Sequence, residues 1–164
     1  MKSLVLGSCS PDTTFLLSDP DALSETELEA YSVRALSCLF PKYTCFLFGG
    51  GFAHVGVTHK PDLAMVARDF SHWFVIEVEL LSHSLRDHVM PQVCAFRYGD
   101  PQPDCVSILS RELGIDRSRA ETLLVTVPKN VAVVVNRWDD DWFKYLDAHS
   151  IQMGSVLNLV LGAG

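Results

Sequence analysis

Three carboxylates are spaced along two neighbouring apolar segments of the sequence in a way that suits cation binding. Asp62 follows Pro61, and Glu77 and Glu79 lie 15 and 17 positions further on, in the run WFVIEVEL. Side chains alternate across a strand, so Glu77 and Glu79 are expected on one face, beside the apolar Trp73. Two like charges on a half-buried strand repel each other and lose hydration. The pattern therefore predicts that a cation compensates them.

The chemistry that these residue types offer is coordination by hard oxygen ligands. If Asp62 and Glu77 lie on adjacent strands, their side chains converge at one end of the sheet. Together with Glu79 and the backbone carbonyl of Val78, they would supply the oxygen ligands that Mg²⁺ or Mn²⁺ prefers. Lys60 lies two positions before Asp62, hence on the same strand face, where it would supply a further cation.

The elements that must position these residues begin with a helix and a meander. Ser24 opens a helix with a capping box whose N3 residue is Glu27, and Pro41 ends it. The segment YTCFLFGGGFAHVGVTHKPDLAMV predicts two strands, with a bend or bulge at the glycines, and WFVIEVELL predicts the third. A second helix is expected from Ser84 to Tyr98, closed by a glycine and kinked or delayed by Pro91.

The remaining segments complete a mixed α/β order. VSILSRELG predicts a short helix, and ETLLVTVPKNVAVVVNRW predicts two strands. DDDWFKYLDAH predicts a helix, and GSVLNLVLGAG predicts a last strand. Residues 1–22 are predicted to be irregular. The order α-β-β-β-α-β-β-α-β predicts an α/β fold in a single domain, residues 1–164. Because the sequence ends inside an apolar run, it is expected to be the N-terminal fragment of a longer protein.

The motif KPDL…VIEVEL resembles the PD-(D/E)xK nuclease superfamily, in which an Asp after Pro on one strand precedes an acid-x-Lys pair on the next. The helices and strands over about residues 24–135 are also similar to the α-β-β-β-α-β core of that superfamily, a mixed central sheet flanked by helices. The resemblance implies a restriction-endonuclease-like fold with Asp62 and Glu77 as metal ligands. Position 79 departs from the pattern, since the usual Lys is Glu, a variant that some type II restriction endonucleases share.

The activity that the resemblance implies is hydrolysis of phosphodiester bonds in DNA by a Mg²⁺- or Mn²⁺-dependent endonuclease, in a restriction or phage-defence system. Glu79 would help to hold the metal, or Glu79 or a phosphate oxygen would take the proton of the attacking water. Related nucleases carry an acid on the first core helix, for which Glu29 and Glu27 are candidates. They also contact the scissile phosphate from the second helix, where Gln92 and Tyr98 lie.

Composition limits how such an enzyme would bind its substrate and where it would act. The net charge of −7 argues against a freestanding nucleic-acid binder, so DNA affinity is expected from a homodimer, a partner subunit or an additional DNA-binding domain. Five cysteines without CxxC spacing indicate a reducing cytoplasm rather than a disulfide framework. No stretch is long and apolar enough to span a membrane.

Other readings of the same residues remain open. A catalytically inactive nuclease fold would serve as a binding or assembly module, and an unrelated metal-dependent phosphohydrolase would act on a small nucleotide. His83 and His88 suggest a zinc pair, but no third ligand has a suitable spacing, so surface or capping histidines are expected instead. A solvated strand face would make Glu77 and Glu79 ordinary surface residues.

Overall fold

The computed structural model describes residues 3–5, 14–16 and 23–155. These residues form a mixed α/β fold with five α-helices, a mixed sheet of five strands, a small sheet of three strands and a two-stranded ribbon. The helices are α1 (Glu25–Leu39), α2 (Met90–Tyr98), α3 (Pro103–Leu113), α4 (Arg117–Thr126) and α5 (Asp140–Ala148). The strands are β1 (Ser3–Val5), β2 (Thr14–Leu16), β3 (Tyr43–Leu47), β4 (Phe52–His54), β5 (Val57–His59), β6 (Leu63–Ala67), β7 (Trp73–Glu79), β8 (Asp100–Pro101), β9 (Lys129–Val135) and β10 (Gln152–Ser155).

The main sheet has the strand order β10-β9-β7-β6-β3. Strands β3, β6 and β7 form an antiparallel meander, whereas β9 runs parallel to β7 and β10 parallel to β9. The elements that build this sheet and its first two helices therefore follow the order α-β-β-β-α-β along the chain. The hairpin of β4 and β5 interrupts the meander and joins β8 in the small sheet.

Helix α1 begins at the predicted residue. The Ser24 side chain accepts a hydrogen bond from the Glu27 N–H, and the Glu27 carboxylate accepts one from the Ser24 N–H, which is the predicted capping box. Its buried residues Leu28 and Leu36 pack on one face of the main sheet, against Ile76 among others. This helix fixes where its first-turn acids lie relative to β7.

The segment before α2 forms a single π-helical turn, Leu85–Val89, capped by the side chain of Ser84. Regular α-helix begins only at Met90, and Pro91 occupies the first turn, where its missing N–H would have had no helical partner anyway. The predicted delay at Pro91 and the end at Tyr98 are thus confirmed, whereas Ser84 caps a π-helical turn and not the start of the α-helix.

Strand β7 is buried on both faces rather than half-buried as predicted. Helix α1 covers the face that bears Ile76 and Val78, while α2, α3, α4 and α5 contribute to the apolar cluster on the face that bears Trp73 and Val75. The side chain of Glu77 is only 3% exposed and that of Glu79 is fully buried. A solvated face for these two carboxylates is therefore wrong, because helices close both sides of the central strand.

Several predicted elements are corrected. The segment predicted as two strands contains four, because Gly49 (φ +60°) lets the chain leave the main sheet and form the β4–β5 hairpin before it returns in β6. ETLLVTV is the end of helix α4, not a strand, since Asp116 caps a helix that starts at Arg117. Residues 3–5 and 14–16 pair as strands instead of being irregular. The predicted last strand is observed up to Ser155, and its remainder lies outside the described residues.

No helix within the described residues is long and apolar enough to cross a membrane.

Candidate metal centre

Asp62 and Glu77 occupy opposed positions at the end of the β6–β7 pair. The last paired residues are Leu63 and Ile76, so the next two positions along the strands are Asp62 and Glu77. The Asp62 Oδ2 accepts a hydrogen bond of 2.8 Å from the Val78 N–H, in place of a further backbone partner from β6. We call the side chains of Asp62 and Glu77 the carboxylate centre. The structure therefore brings together two residues that lie 15 positions apart in the sequence.

The backbone of Asp62 is held by the neighbouring strand on its other side. Phe48 donates its N–H to the Asp62 carbonyl at 2.8 Å, and Gly49 donates its N–H to the Pro61 carbonyl at 2.9 Å. Proline has no N–H to satisfy at this strand start. The side chain of Asp62 is thus fixed between β3 and β7 and does not belong to a free loop.

Both carboxyl groups have a raised pKa. Burial raises the pKa of Glu77 to about 10, and the charge of Asp62 adds to the effect. Burial also raises the pKa of Asp62 to about 7, against the lowering effect of the Val78 N–H. The charges of Glu25, Glu29 and Glu79 also raise the pKa values of these two groups, and the Glu77 Oε2 is buried without a hydrogen-bond partner. In the absence of a cation the centre must hold protons.

The backbone of Val78 adds an oxygen to this edge of β7. The N–H and C=O groups of one residue in an extended strand point to the same edge. Because the Val78 N–H points to Asp62, the Val78 carbonyl lies on the edge that faces the carboxylate centre. This is the position from which it was predicted to act as a ligand.

Glu25 and Glu29 lie one helical turn apart on α1, and both act on the centre through their charges. Their charges raise the pKa values of Asp62 and Glu77, and the pKa of Glu29 is itself raised by burial and by Glu25. Glu27 is fully exposed and its pKa is lowered by the capping hydrogen bonds from Ser24. Glu29 thus acts on the centre through its charge, whereas Glu27 serves the helix cap. Glu25 was missed because the sequence pattern does not fix the rotation of the helix.

Glu79 is next to two histidines rather than to a lysine. Its Oε2 lies 2.5 Å from His83 Nδ1, and its Oε1 lies 3.1 Å from His88 Nε2. Burial raises the pKa of Glu79, while the hydrogen bond from His83 and the charge of His88 lower it. We call the side chains of Glu79, His83 and His88 the histidine cluster. Their candidate ligand atoms all lie within 4.8 Å of one another.

The π-helical turn places His88 in this cluster. The N–H groups of His88 and Val89 both donate to the Ser84 carbonyl, at 3.0 and 3.3 Å, so the turn is wider than an α-helical one. His83 comes just before it, in the turn after β7. The sequence prediction favoured surface or capping histidines because no third ligand had a persuasive spacing. The third residue is instead at the end of a strand, four positions before His83.

The other predicted residues are less closely tied to the centre. Lys60 is exposed and is not one of the charges that shift the pKa of Asp62 or Glu77, so the described contacts do not bring it to the centre. Gln92 lies on α2, and its Oε1 is buried without a hydrogen-bond partner. Tyr98 is 66% exposed and stacks near Arg97 at the surface.

Comparison with known proteins yields little. No protein-family model matches the chain, and no curated protein matches it. A solved structure, described as the crystal structure of protein VC1899 from Vibrio cholerae, is similar with 14% identity and a TM-score of 0.41. The likeness covers 82% of this chain but only 30% of that one, so the chain spans less than a third of that protein's length.

Proposed function

We propose that this protein is a metal-dependent nuclease of the PD-(D/E)xK type that hydrolyses phosphodiester bonds in DNA. The observation that carries the proposal is the carboxylate centre: Asp62 and Glu77 are opposed across β6 and β7, and both are buried with raised pKa values. Two buried carboxylates with raised pKa values, one of them raised further by the charge of the other, are stabilised as anions by a divalent cation. The element order α1-β3-β6-β7-α2-β9 supports it as well, since it repeats the order of the superfamily core.

The donor set favours Mg²⁺ or Mn²⁺. Asp62, Glu77 and the Val78 carbonyl would hold the ion through oxygen atoms alone, which is the ligand type that these hard cations take. Glu29 borders the same centre from α1 and would hold or orient a metal-bound water. When bound, such an ion supplies an activated water and neutralises charge on the phosphoryl oxygens. The chain's own contribution is to fix Asp62 through the Val78 N–H and to keep Glu77 away from solvent.

The substrate and setting follow from the same proposal. With a net charge of −7, the chain needs a homodimer mate, a partner subunit or a further DNA-binding domain for affinity to the phosphate backbone. A cytoplasmic location in a restriction or phage-defence system suits the free thiols of the four described cysteines, Cys38, Cys45, Cys94 and Cys105.

One observation favours a second candidate, a catalytically inactive nuclease fold that acts as a binding module. Position 79 bears Glu where the motif has Lys, and Lys60 is exposed away from the described contacts of the centre. If no cation binds, the carboxylate centre would remain protonated and inert.

The test is cleavage of plasmid DNA with Mg²⁺ and with Mn²⁺. Asp62→Asn and Glu77→Gln should each lower the rate at least about 100-fold, because removal of a group that merely supports a ligand already costs 10- to 100-fold. Asp147→Asn on α5 and Glu121→Gln on α4 are matched controls at exposed positions and should leave the rate unchanged. Circular dichroism and melting temperature establish that each variant is folded.

The outcomes separate the two candidates. Cation-dependent cleavage that both centre variants lose supports the nuclease. An uncleaved plasmid together with no Mn²⁺ binding by calorimetry contradicts it and favours the binding module. If both variants still cleave the plasmid, the cleavage does not come from the carboxylate centre, and the proposal is contradicted.

A further inference from the structure

The histidine cluster is built differently from the carboxylate centre. Two of its three members are imidazoles, and its carboxylate, Glu79, has a fully buried side chain. The side chains of His83 and His88 are 34% and 50% exposed, so the cluster opens to solvent on the histidine side. A cation therefore has an entry path to an anion that is otherwise enclosed in the protein.

Hydrogen bonding leaves part of this cluster unsatisfied. His83 Nδ1 makes a hydrogen bond to the Glu79 Oε2, but the Glu79 Oε1 has no hydrogen-bond partner although His88 Nε2 is 3.1 Å away. A buried carboxylate oxygen without a partner is costly unless a ligand is bound to it.

We propose that Glu79, His83 and His88 bind a transition-metal ion of the Zn²⁺ class. Two imidazole nitrogens and one carboxylate oxygen form a ligand set that Zn²⁺ accepts, with a fourth position left to water or substrate. In a tetrahedral site with bonds near 2.05 Å, ligand atoms lie about 3.3 Å apart. The ligand atoms of the cluster already fall within 4.8 Å of one another, which is close to that spacing.

The ligand set also separates this ion from Mg²⁺. Imidazole is a good ligand for zinc, copper, iron and nickel, whereas magnesium takes carboxylate, carbonyl and water oxygens. The inference goes beyond the proposed nuclease activity and does not rest on it. Glu79 nevertheless occupies the position at which the nuclease motif carries Lys, so the ion would restore a positive charge there.

The test is Zn²⁺ binding to the chelator-treated protein, followed by calorimetry and, with Co²⁺ as a spectroscopic probe, by visible absorption. One tightly bound ion per chain is expected, with the absorption of a tetrahedral Co²⁺ site. His83→Ala and His88→Ala should each weaken binding at least about 100-fold, since each removes a direct ligand. Both residues are partly exposed, so neither change threatens folding.

Controls distinguish this site from the carboxylate centre and from nonspecific binding. His59→Ala, in β5 of the small sheet, and Asp62→Asn should each leave Zn²⁺ affinity within a few fold of the original. Millimolar Mg²⁺ should not displace the ion. Binding that Asp62→Asn abolishes and the histidine variants spare would overturn the proposal, as would the absence of a saturable site.

The two proposals fail separately. DNA cleavage without Zn²⁺ binding would remove the histidine site and leave the nuclease standing. Specific Zn²⁺ binding without cleavage under any metal would support the histidine site and count against the nuclease.

Discussion

The two halves of β7 are both largely buried but differ in what surrounds them. The first half, Trp73–Ile76, is apolar and has β6 on one side and β9 on the other. The second half, Glu77–Glu79, is paired with β9, but β6 has already ended, and the side chain of Asp62 takes the place of a backbone partner. A candidate site therefore need not lie on a surface loop. Where a central strand loses one neighbour near its end, its backbone N–H and C=O groups lack a strand partner inside the protein and are open to a side chain or a ligand.

The apolar half should carry stability that does not depend on metal or pH. Ile76→Ala is expected to lower the free energy of unfolding by about 2–5 kcal/mol, because Ile76 is 1% exposed and packs from β7 against α1. Urea unfolding with chelator and with Mn²⁺ measures the loss. Ile76→Val serves as the conservative control, at about 0.5–1.5 kcal/mol. A loss below about 2 kcal/mol for Ile76→Ala would mean that this half of β7 is not central to the core.

The acidic half should make the metal-free protein less stable as the pH rises. In the folded chain Asp62 and Glu77 keep their protons up to about pH 7 and about pH 10, because burial raises both pKa values. Unfolded carboxyl groups lose their protons near pH 4, so over the window above this value the folded state binds more protons. Each rise in pH then favours unfolding. Each group that is protonated only in the folded state costs about 1.4 kcal/mol per pH unit, so we expect a total loss of several kcal/mol between about pH 5 and pH 9.

Urea unfolding in chelator at several pH values measures this slope. Glu77→Gln should flatten it, since the variant has no proton to lose at that position, and Mn²⁺ should flatten it in the original protein. An equally steep slope in Glu77→Gln and Asp62→Asn would show that other groups cause it. A slope of opposite sign would contradict the raised pKa values.

A substitution in the β4–β5 hairpin should have a smaller effect on stability. Because the hairpin effect is not electrostatic, it should not depend on pH, in contrast to the effect of the acidic half of β7. Val55 has a positive φ of 49° and is 87% exposed, next to Gly56 at φ 78°. A β-branched residue is strained there, whereas Asn followed by Gly is favoured in such two-residue turns. Val55→Asn should raise the free energy of unfolding by about 0.5–1 kcal/mol, equally at every pH and with or without Mn²⁺. A gain that varied with pH would indicate coupling to charged groups.

The sequence was sufficient where the signal is local. The capping box at Ser24 and Glu27, the strand at β7 and the end of α2 at Gly99 depend on neighbouring residues, and they are observed as predicted. The prediction of a strand at ETLLVTV was wrong because a short apolar run with β-branched residues does not distinguish a buried strand from a helix. Its helix start, the cap at Asp116, lies outside the run that attracted the prediction.

The candidate site was predictable only in part for a related reason. Strand alternation placed Glu77 and Glu79 on one face, and the meander placed Asp62 near Glu77. The choice of Glu29 over Glu27 depends on how α1 is rotated against the sheet, which packing decides. The meeting of Glu79 with His88 depends on a π-helical turn, and no short-range pattern in the sequence announces one.

That π-helical turn sets a limit on how this stretch of chain can change in length. A turn with one residue more than an α-helical turn is equivalent to a single-residue insertion, and loss of that residue would rotate everything after it by about 100°. Helix α2 buries Val93 and Phe96 in the core, so such a rotation cannot be absorbed without unpacking it. Deletion of one residue from Leu85–Val89 would therefore either move His88 away from Glu79 or turn α2 out of the core. Although three of its five residues are exposed, this stretch should tolerate substitution better than any change in its length.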